Sequence, residues 1–211
     1  MSRWVGRANV AKRLAPLEGT PGRSVYADGE ARFETEEETI VARPPFPLRH
    51  EGEYDRVRVA PLLEEIAEDH VFGAVLVRLG GYAVGVFEGE RLVASKVGSR
   101  NVHGRHRAGG SSANRFRRRR EEQARVLLLD AGEVAARVLD PHRGRLDAVA
   151  LGGDRAAVRQ MVELRPELRW LEEHALERFF TVPEPRQPVL ERLAYDLYAV
   201  ELTVGTAGPA P

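Results

Sequence analysis

The sequence predicts a mixed α/β fold, an α+β sheet with helices on its faces, preceded by a small β-rich N-terminal unit. Three observations carry this. Three apolar, β-branched runs, GAVLVRL at 73–79, YAVGVFE at 82–88 and LVASKV at 92–97, are separated by short glycine-bearing turns, the signature of an antiparallel meander. After a glycine- and arginine-rich stretch, apolar residues recur at three and four positions from Phe116 to Val138, which is helical spacing. Beyond it, short apolar strands and amphipathic helices alternate to the C-terminus, which builds helices onto the faces of one sheet.

Taken in order, residues 1–20 show no clear period. Asp28-Gly29 is a turn pair between Ser24-Val25-Tyr26 and Ala31-Arg32-Phe33-Glu34, so a hairpin is expected, with a further short strand at Thr39-Ile40-Val41. Arg43-Pro44-Pro45-Phe46-Pro47 breaks regular structure and reads as a linker. Residues 1–50 are therefore expected to form the N-terminal unit, and residues 51–204 the main domain. Pro61 opens a short helix with Leu62, Leu63 and Ile66 on one stripe. The meander follows, then a loop over 98–114, then a helix from Arg115 that ends before Pro141. Leu146–Leu151 reads as a buried strand, and Asp154 as the N-cap of a helix reaching about Leu164. Arg178–Val182 is expected as another strand, Pro188–Leu197 as a helix, and Tyr198–Val204 as a closing strand. Residues 205–211 are expected to be a disordered tail. A meander followed by αβ units is compatible with a ribonuclease-H-like topology.

Composition narrows the classes of function. Apolar residues make up 43% of the chain, enough for a real core, and there is no cysteine, so neither a disulfide framework nor a thiolate metal site is available. No stretch approaches the roughly 20 apolar residues of a membrane span, and no signal peptide is visible. A soluble, cytoplasmic protein is expected, and nothing demands a dimer, so a monomer is expected.

The formal net charge of zero hides a strong asymmetry. Lys96, Arg100, Arg105, Arg107, Arg115, Arg117, Arg118, Arg119 and Arg120 lie in one segment that contains no acid. Such a segment implies a polyanionic partner. Four consecutive arginines wrap around a helix and cannot share one solvated face. Gly98, Gly104, Gly109 and Gly110 let the backbone approach a ligand closely. Ser111, Ser112 and Asn114 are cap-type residues, and a helix N-terminus favours phosphate. Arginines add bidentate phosphate contacts. Together these features point to RNA, with Lys96, Arg100, His103, Arg105, His106, Arg107, Arg115 and Arg117–Arg120 as its contacts.

The segment Lys96–Arg100, His103-Gly104-Arg105, Gly109-Gly110-Ser111-Ser112 and Arg115-Phe116 followed by Arg117–Arg120 resembles a known loop. The central domain of eukaryotic and archaeal class I release factors carries a Gly-Gly-Gln loop that enters the ribosomal peptidyl-transferase centre. The Vms/Ankzf family of ribosome quality control carries a related one, with Gly-Gly and a nearby Gln before a basic helix, and cleaves peptidyl-tRNA on stalled large subunits. This chain resembles an actinobacterial-type relative of that family over residues 60–204, the meander and LDAVALGGDRAAV included. The resemblance implies the release-factor central-domain topology and partners in large-subunit rRNA and peptidyl-tRNA. It implies a hydrolase site at Gly109, Gly110, Ser111, Ser112, Ala113 and Asn114, without metal or organic cofactor, since ester hydrolysis there relies on positioning.

The sequence departs from the family where its glutamine belongs, at or next to Ala113-Asn114. Asn114 carries the same amide on a stem one methylene shorter, and backbone N–H groups near Gly110–Ser112 could stabilise an oxyanion. Two outcomes stay open: a peptidyl-tRNA hydrolase using Asn114, or a protein of the same fold that binds RNA or the ribosome without cleaving. A third reading has the arginines dock on an acidic protein.

Other candidates are weaker. His103 and His106 lie three apart with no acid or cysteine to complete a metal site, so RNA contact is expected of them. Gly152-Gly153-Asp154 lacks the spacing of a nucleotide loop and reads as the start of a capped helix. Glu88 alone in the meander does not make a nuclease metal cluster. Phe72, Phe87, Phe179 and Phe180 read as core. Phe116 is expected to pack the start of its helix against the sheet, or to stack on a base.

Overall fold

In this computed structural model residues 2–99 and 111–206 are described, with Ser111–Asn114 and Phe116 described by their backbone. The elements in chain order are β1 (Ser2–Val5), α1 (Arg7–Leu14), β2 (Pro21–Ala27), β3 (Glu30–Glu34), β4 (Glu38–Arg43), β5 (Gly52–Arg56), α2 (Ala60–Ala67), β6 (Val71–Arg78), β7 (Gly81–Glu88), β8 (Arg91–Ser99), α3 (Ser111–Leu139), β9 (Ala148–Gly153), α4 (Arg155–Leu164), α5 (Trp170–Glu173), α6 (Gln187–Leu197) and β10 (Val200–Thr206). Chain contacts group residues 1–69 with 195–211 in one compact unit and residues 70–194 in a second. The sequence reading placed its boundary at residue 50 instead.

The first unit is a six-stranded antiparallel sheet in the order β1-β10-β4-β3-β2-β5. The expected hairpin is present. Asp28 (φ +52°) and Gly29 (φ +75°) both take positive φ, which a type I′ turn requires. Alternate residues Tyr26, Phe33, Ile40, Val200 and Leu202 turn inward to meet Val10 and Leu14 of α1 and Leu62 and Ile66 of α2. Three features were not foreseen. Residues 2–17, which lack a readable period, form β1, α1 and a short 3-10 turn. The polar run GEYDR forms β5, because pairing with β2 satisfies its backbone whatever its side chains. The closing strand starts at Val200 and joins this sheet between β1 and β4, so Gly205 and Thr206 pair with Thr39 and Glu38 rather than opening a tail. Residues 207–211 lie outside the described residues.

The second unit is a four-stranded mixed sheet in the order β8-β7-β6-β9. The meander is antiparallel, and β9 adds parallel to β6 after the α3 crossover. This is the expected mixed α/β arrangement, a meander followed by αβ units with helices on the sheet. Val75, Val77, Val84 and Val86 face Leu127, Leu128, Ala131 and Val134 of α3 and Val158, Met161 and Val162 of α4. Opposite-facing Gly85 meets Leu190 of α6 from the other side, where an added Cβ would lie 3.1 Å from the leucine Cδ2. Arg178–Val182 is not a strand: its ladder is one isolated parallel bridge, Gly152 to Phe180. Pro183 and Pro185, just beyond it, cannot donate to a ladder. Phe72 and Phe87 are buried and stack with centroids 4.7 Å apart, Phe180 is buried, and Phe179 is half-buried. Among the described residues no helix is long and apolar enough to cross a membrane.

Candidate nucleic-acid interface

Both flanks of the basic segment are described. Its first half ends β8, the free edge of the second sheet, where exposed Lys96 pairs with Val84. Directly opposite one another at the end of that ladder stand Gly98 and Tyr82. The Tyr82 ring lies across Gly98, so that a Cβ there would sit 2.3 Å from the ring. From that position the phenol donates a 2.7 Å hydrogen bond to the Asp130 carboxylate of α3. Burial, and then the hydrogen bond to Asp130, push the Tyr82 phenol up to about 12, so it stays a neutral donor through the physiological range. One side chain therefore ties the strand that enters the segment to the helix that leaves it.

α3 is far longer than the sheet it packs on. Its first buried described residue is Leu127, and between 115 and 126 none of the described residues is buried. Asp130 is level with Tyr82 near the start of β7. Ser111 lies 19 residues (130 − 111) before it, which at ~1.5 Å per residue places the helix start roughly 28 Å further along the axis. Arg115, Arg117, Arg118 and Arg119 are exposed on this arm and Arg120 is half-buried. Arg117 lies 3.7 Å from Glu121; among the described residues the other four have no acidic partner.

This arm is electrostatically unfavourable in isolation. The first turn of α3 holds no acid, yet arginines crowd the end where the helix dipole is already positive. Arg115 and Arg119 stand at i,i+4, and Arg117 and Arg120 at i,i+3, where like charges repel. Among the described residues of the arm none is buried to compensate, although packing supplies most helical stability. Anions bound along the arm would reverse each of these terms.

Ser111, Ser112, Ala113 and Asn114 were expected in the loop ahead of the helix. Instead they form its first turn, because serine and asparagine suit the first turn as well as the cap, and the apolar period that sets helix bounds in sequence starts only later. Their N–H groups belong to the turn that has no intrahelical acceptor. Arg100, His103, Arg105, His106, Arg107, Gly109 and Gly110 lie outside the described residues.

The remaining motifs resolve into structural roles. Gly153 (φ +101°) approaches β6 so closely that a Cβ would lie 2.1 Å from the Val77 carbonyl oxygen. The Gly153 and Asp154 N–H groups donate to Phe180 and Val77 carbonyls, both at 2.8 Å, so neither is free for a phosphate. Asp154 caps α4 by accepting from Ala156 N at 2.8 Å and Ala157 N at 3.4 Å, as expected. Glu88 sits at the opposite end of the sheet, hydrogen-bonded by Arg145 and Arg91, which hold its carboxyl below the usual carboxylate range. Among the described residues no three His, Cys, Asp or Glu side chains cluster as metal ligands. Sequence reasoning missed Tyr82 and Asp130. The meander's one tyrosine, paired with a glycine on the next strand, was the available signal.

Residues 70–203 match the family described as Actinobacteria/chloroflexi VLRF1 release factor, acVLRF1. Similar proteins include peptide chain release factor subunit 1 of Aeropyrum pernix, 30% identical over 156 residues (72% of this chain, 42% of that one). The same factor of Archaeoglobus fulgidus is 29% identical over 130 residues (61% and 31%). The chain spans less than half the length of these relatives. Among solved structures, archaeal translation termination factor aRF1 aligns at 21% identity with a TM-score of 0.42, covering 90% of this chain and 55% of that one. The resemblance drawn from the loop and the meander thus agrees with the family match over the second unit: this chain belongs to the Actinobacteria/chloroflexi VLRF1 release factors, and so to the release-factor-like proteins of translation.

Proposed function

We propose that this protein acts on the large ribosomal subunit and hydrolyses the ester of peptidyl-tRNA there. The observation that carries the reading is the projecting, acid-free start of α3, with five arginines on an unpacked arm at the end of the family's loop. Rigidly tied at its base by Tyr82 and Asp130, the arm can present residues 109–114 at a distance from the body of the domain. Arg100, Arg105, Arg107, Arg115 and Arg117–Arg120 grip rRNA and tRNA phosphates, with Lys96, His103 and His106 beside them. Gly109 and Gly110 shape the tip, the N–H groups around Ser111 and Ser112 face the developing oxyanion, and Asn114 places the water. Each step is positioning and electrostatics, with no metal or cofactor. The monomeric state belongs to the same reading.

A second reading is favoured by one specific observation. Ala113 and Asn114 stand where the family's glutamine belongs, and on this reading the protein grips the same RNA and leaves the ester intact. RNA binding is common to both readings and is tested first. Affinity for purified large subunits should fall steeply with salt, with a slope of about 0.7–0.9 per phosphate contacted. Replacing Arg117, Arg118, Arg119 and Arg120 by glutamine should lower that slope by about 3. A salt-independent interaction, or one unchanged by the four substitutions, would overturn the proposal.

A further inference from the structure

We propose that the sheet end from which the basic segment springs carries a second phosphate-binding surface, built on Arg78 and Arg155 with Arg178 beside them, that holds the backbone of the RNA gripped by α3. The proposal rests on the reading of α3 as an RNA-binding arm and adds a contact that neither the loop nor the arm supplies.

The backbone brings the positions of the three arginines to one end of the sheet. Val77 accepts the Asp154 N–H at 2.8 Å, which brings the next residues, Arg78 at the end of β6 and Arg155 at the start of α4, together. Phe180 is bonded to the same corner through Gly153 N at 2.8 Å and Leu151 O at 2.9 Å, which places residues 178–180 alongside. The Arg78 and Arg155 guanidiniums are held by something other than an acid. Arg78 Nη1 donates to the Val182 carbonyl at 2.8 Å. Arg155 lies over the Phe179 ring at 4.2 Å, and Arg178 over the Phe180 ring at 4.6 Å. An arginine shelved on a ring keeps its N–H edge available and has less rotamer freedom to lose when it meets a phosphate. Arg78 and Arg155 are exposed and have no ion-pair partner among the described residues.

The two ends of the sheet contrast. At the far end, Arg91 and Arg145 share Glu88, and His70 meets Asp147 at 3.5 Å. At the near end, the carboxylate of Asp154 is taken up by the first N–H groups of α4. α3 and α4 pack on the same face of the sheet, and α4 starts at this end, so its positive dipole end lies there. Arg120 lies 10 residues (130 − 120) before Asp130, roughly 15 Å up the arm from the sheet end. An RNA backbone following α3 therefore descends towards Arg78 and Arg155.

The test measures affinity of the full chain for purified large ribosomal subunits and for protein-free large-subunit rRNA across a salt series. The variants are Arg78→Gln with Arg155→Gln, Arg155→Gln alone, and the glutamine variant of Arg117–Arg120. Arg155 contacts a ring face in an exposed position, so its single variant keeps the fold, which circular dichroism and urea unfolding verify. The proposal expects the double variant to bind both targets about tenfold more weakly, with a salt slope lower by about 1.5–2, and the single variant to show about half of that slope change. If both surface variants match wild type while the α3 variant loses binding, the second surface is wrong and the arm stands. If all variants match wild type, the arm reading falls with it. Loss on intact subunits with no binding of any form to naked rRNA would mean an acidic protein partner, and would overturn the proposal.

Discussion

Replacing Gly98 by alanine tests the link between the two flanks of the basic segment. The added Cβ would sit 2.3 Å from the Tyr82 ring and 2.7 Å from its Cε1, far inside contact distance. The ring is 3% exposed, so it cannot swing into solvent without opening the core. Displacing it breaks the bond to Asp130, worth about 1 kcal/mol for a carboxylate on the surface, and overpacks the strand at about 1–2 kcal/mol. Gly98→Ala should therefore cost about 2–3 kcal/mol. In a Tyr82→Val background the obstruction is gone, and the same substitution should cost less than about 0.5 kcal/mol. Urea unfolding read by Trp170, buried in the same core, in chains where Trp4 is phenylalanine, reports on this unit. With a slope of ~2 kcal/mol/M the midpoint should fall by about 1–1.5 M in the first background and hardly at all in the second. Equal losses in both backgrounds would refute the account of how Tyr82 couples strand to helix.

Asp154→Ala should destabilise the second unit by about 1 kcal/mol through loss of the α4 cap, with Asp154→Asn nearly neutral, as unfolding midpoints would show. Glu88 is held below its ordinary range by Arg145 first and Arg91 second. Its contribution is present above the unfolded carboxylate value and lost as pH falls through the lower folded one. Glu88→Gln should thus flatten the acid limb of a stability–pH curve. Tyr82, raised to about 12, has the opposite sign: its contribution is complete below pH ~10 and lost as pH rises through 12. Tyr82→Phe should remove one late-titrating phenol from an ultraviolet titration.

How much of this was legible depended on what kind of signal each element carries. The meander was readable because both faces of β6 and β7 are buried and its turns are glycine-bearing, so propensity and tertiary demand agree. The 28–29 turn was readable because Asp-Gly fits positive φ at both positions. Polar β5 and the closing strand β10 were not, since pairing partners distant in sequence decide them and local pattern does not. The start of α3 was misplaced for a related reason: none of its described residues before Leu127 is buried, so no apolar period marks its start. That same absence is the arm's functional signature. The charge of the arm was plain in the sequence, whereas the Arg78–Arg155 surface was not. Those residues stand 77 positions apart (155 − 78) and reach the same sheet end only through the parallel pairing of β6 with β9.

The most direct measurement is release of labelled peptide from peptidyl-tRNA bound to stalled large ribosomal subunits, by wild type, Asn114→Ala and Ala113→Gln. The hydrolase account predicts release by wild type and its loss in Asn114→Ala. Subunits bound by an inert wild type, with release gained by Ala113→Gln, would contradict it and establish a binding protein that lacks the catalytic side chain.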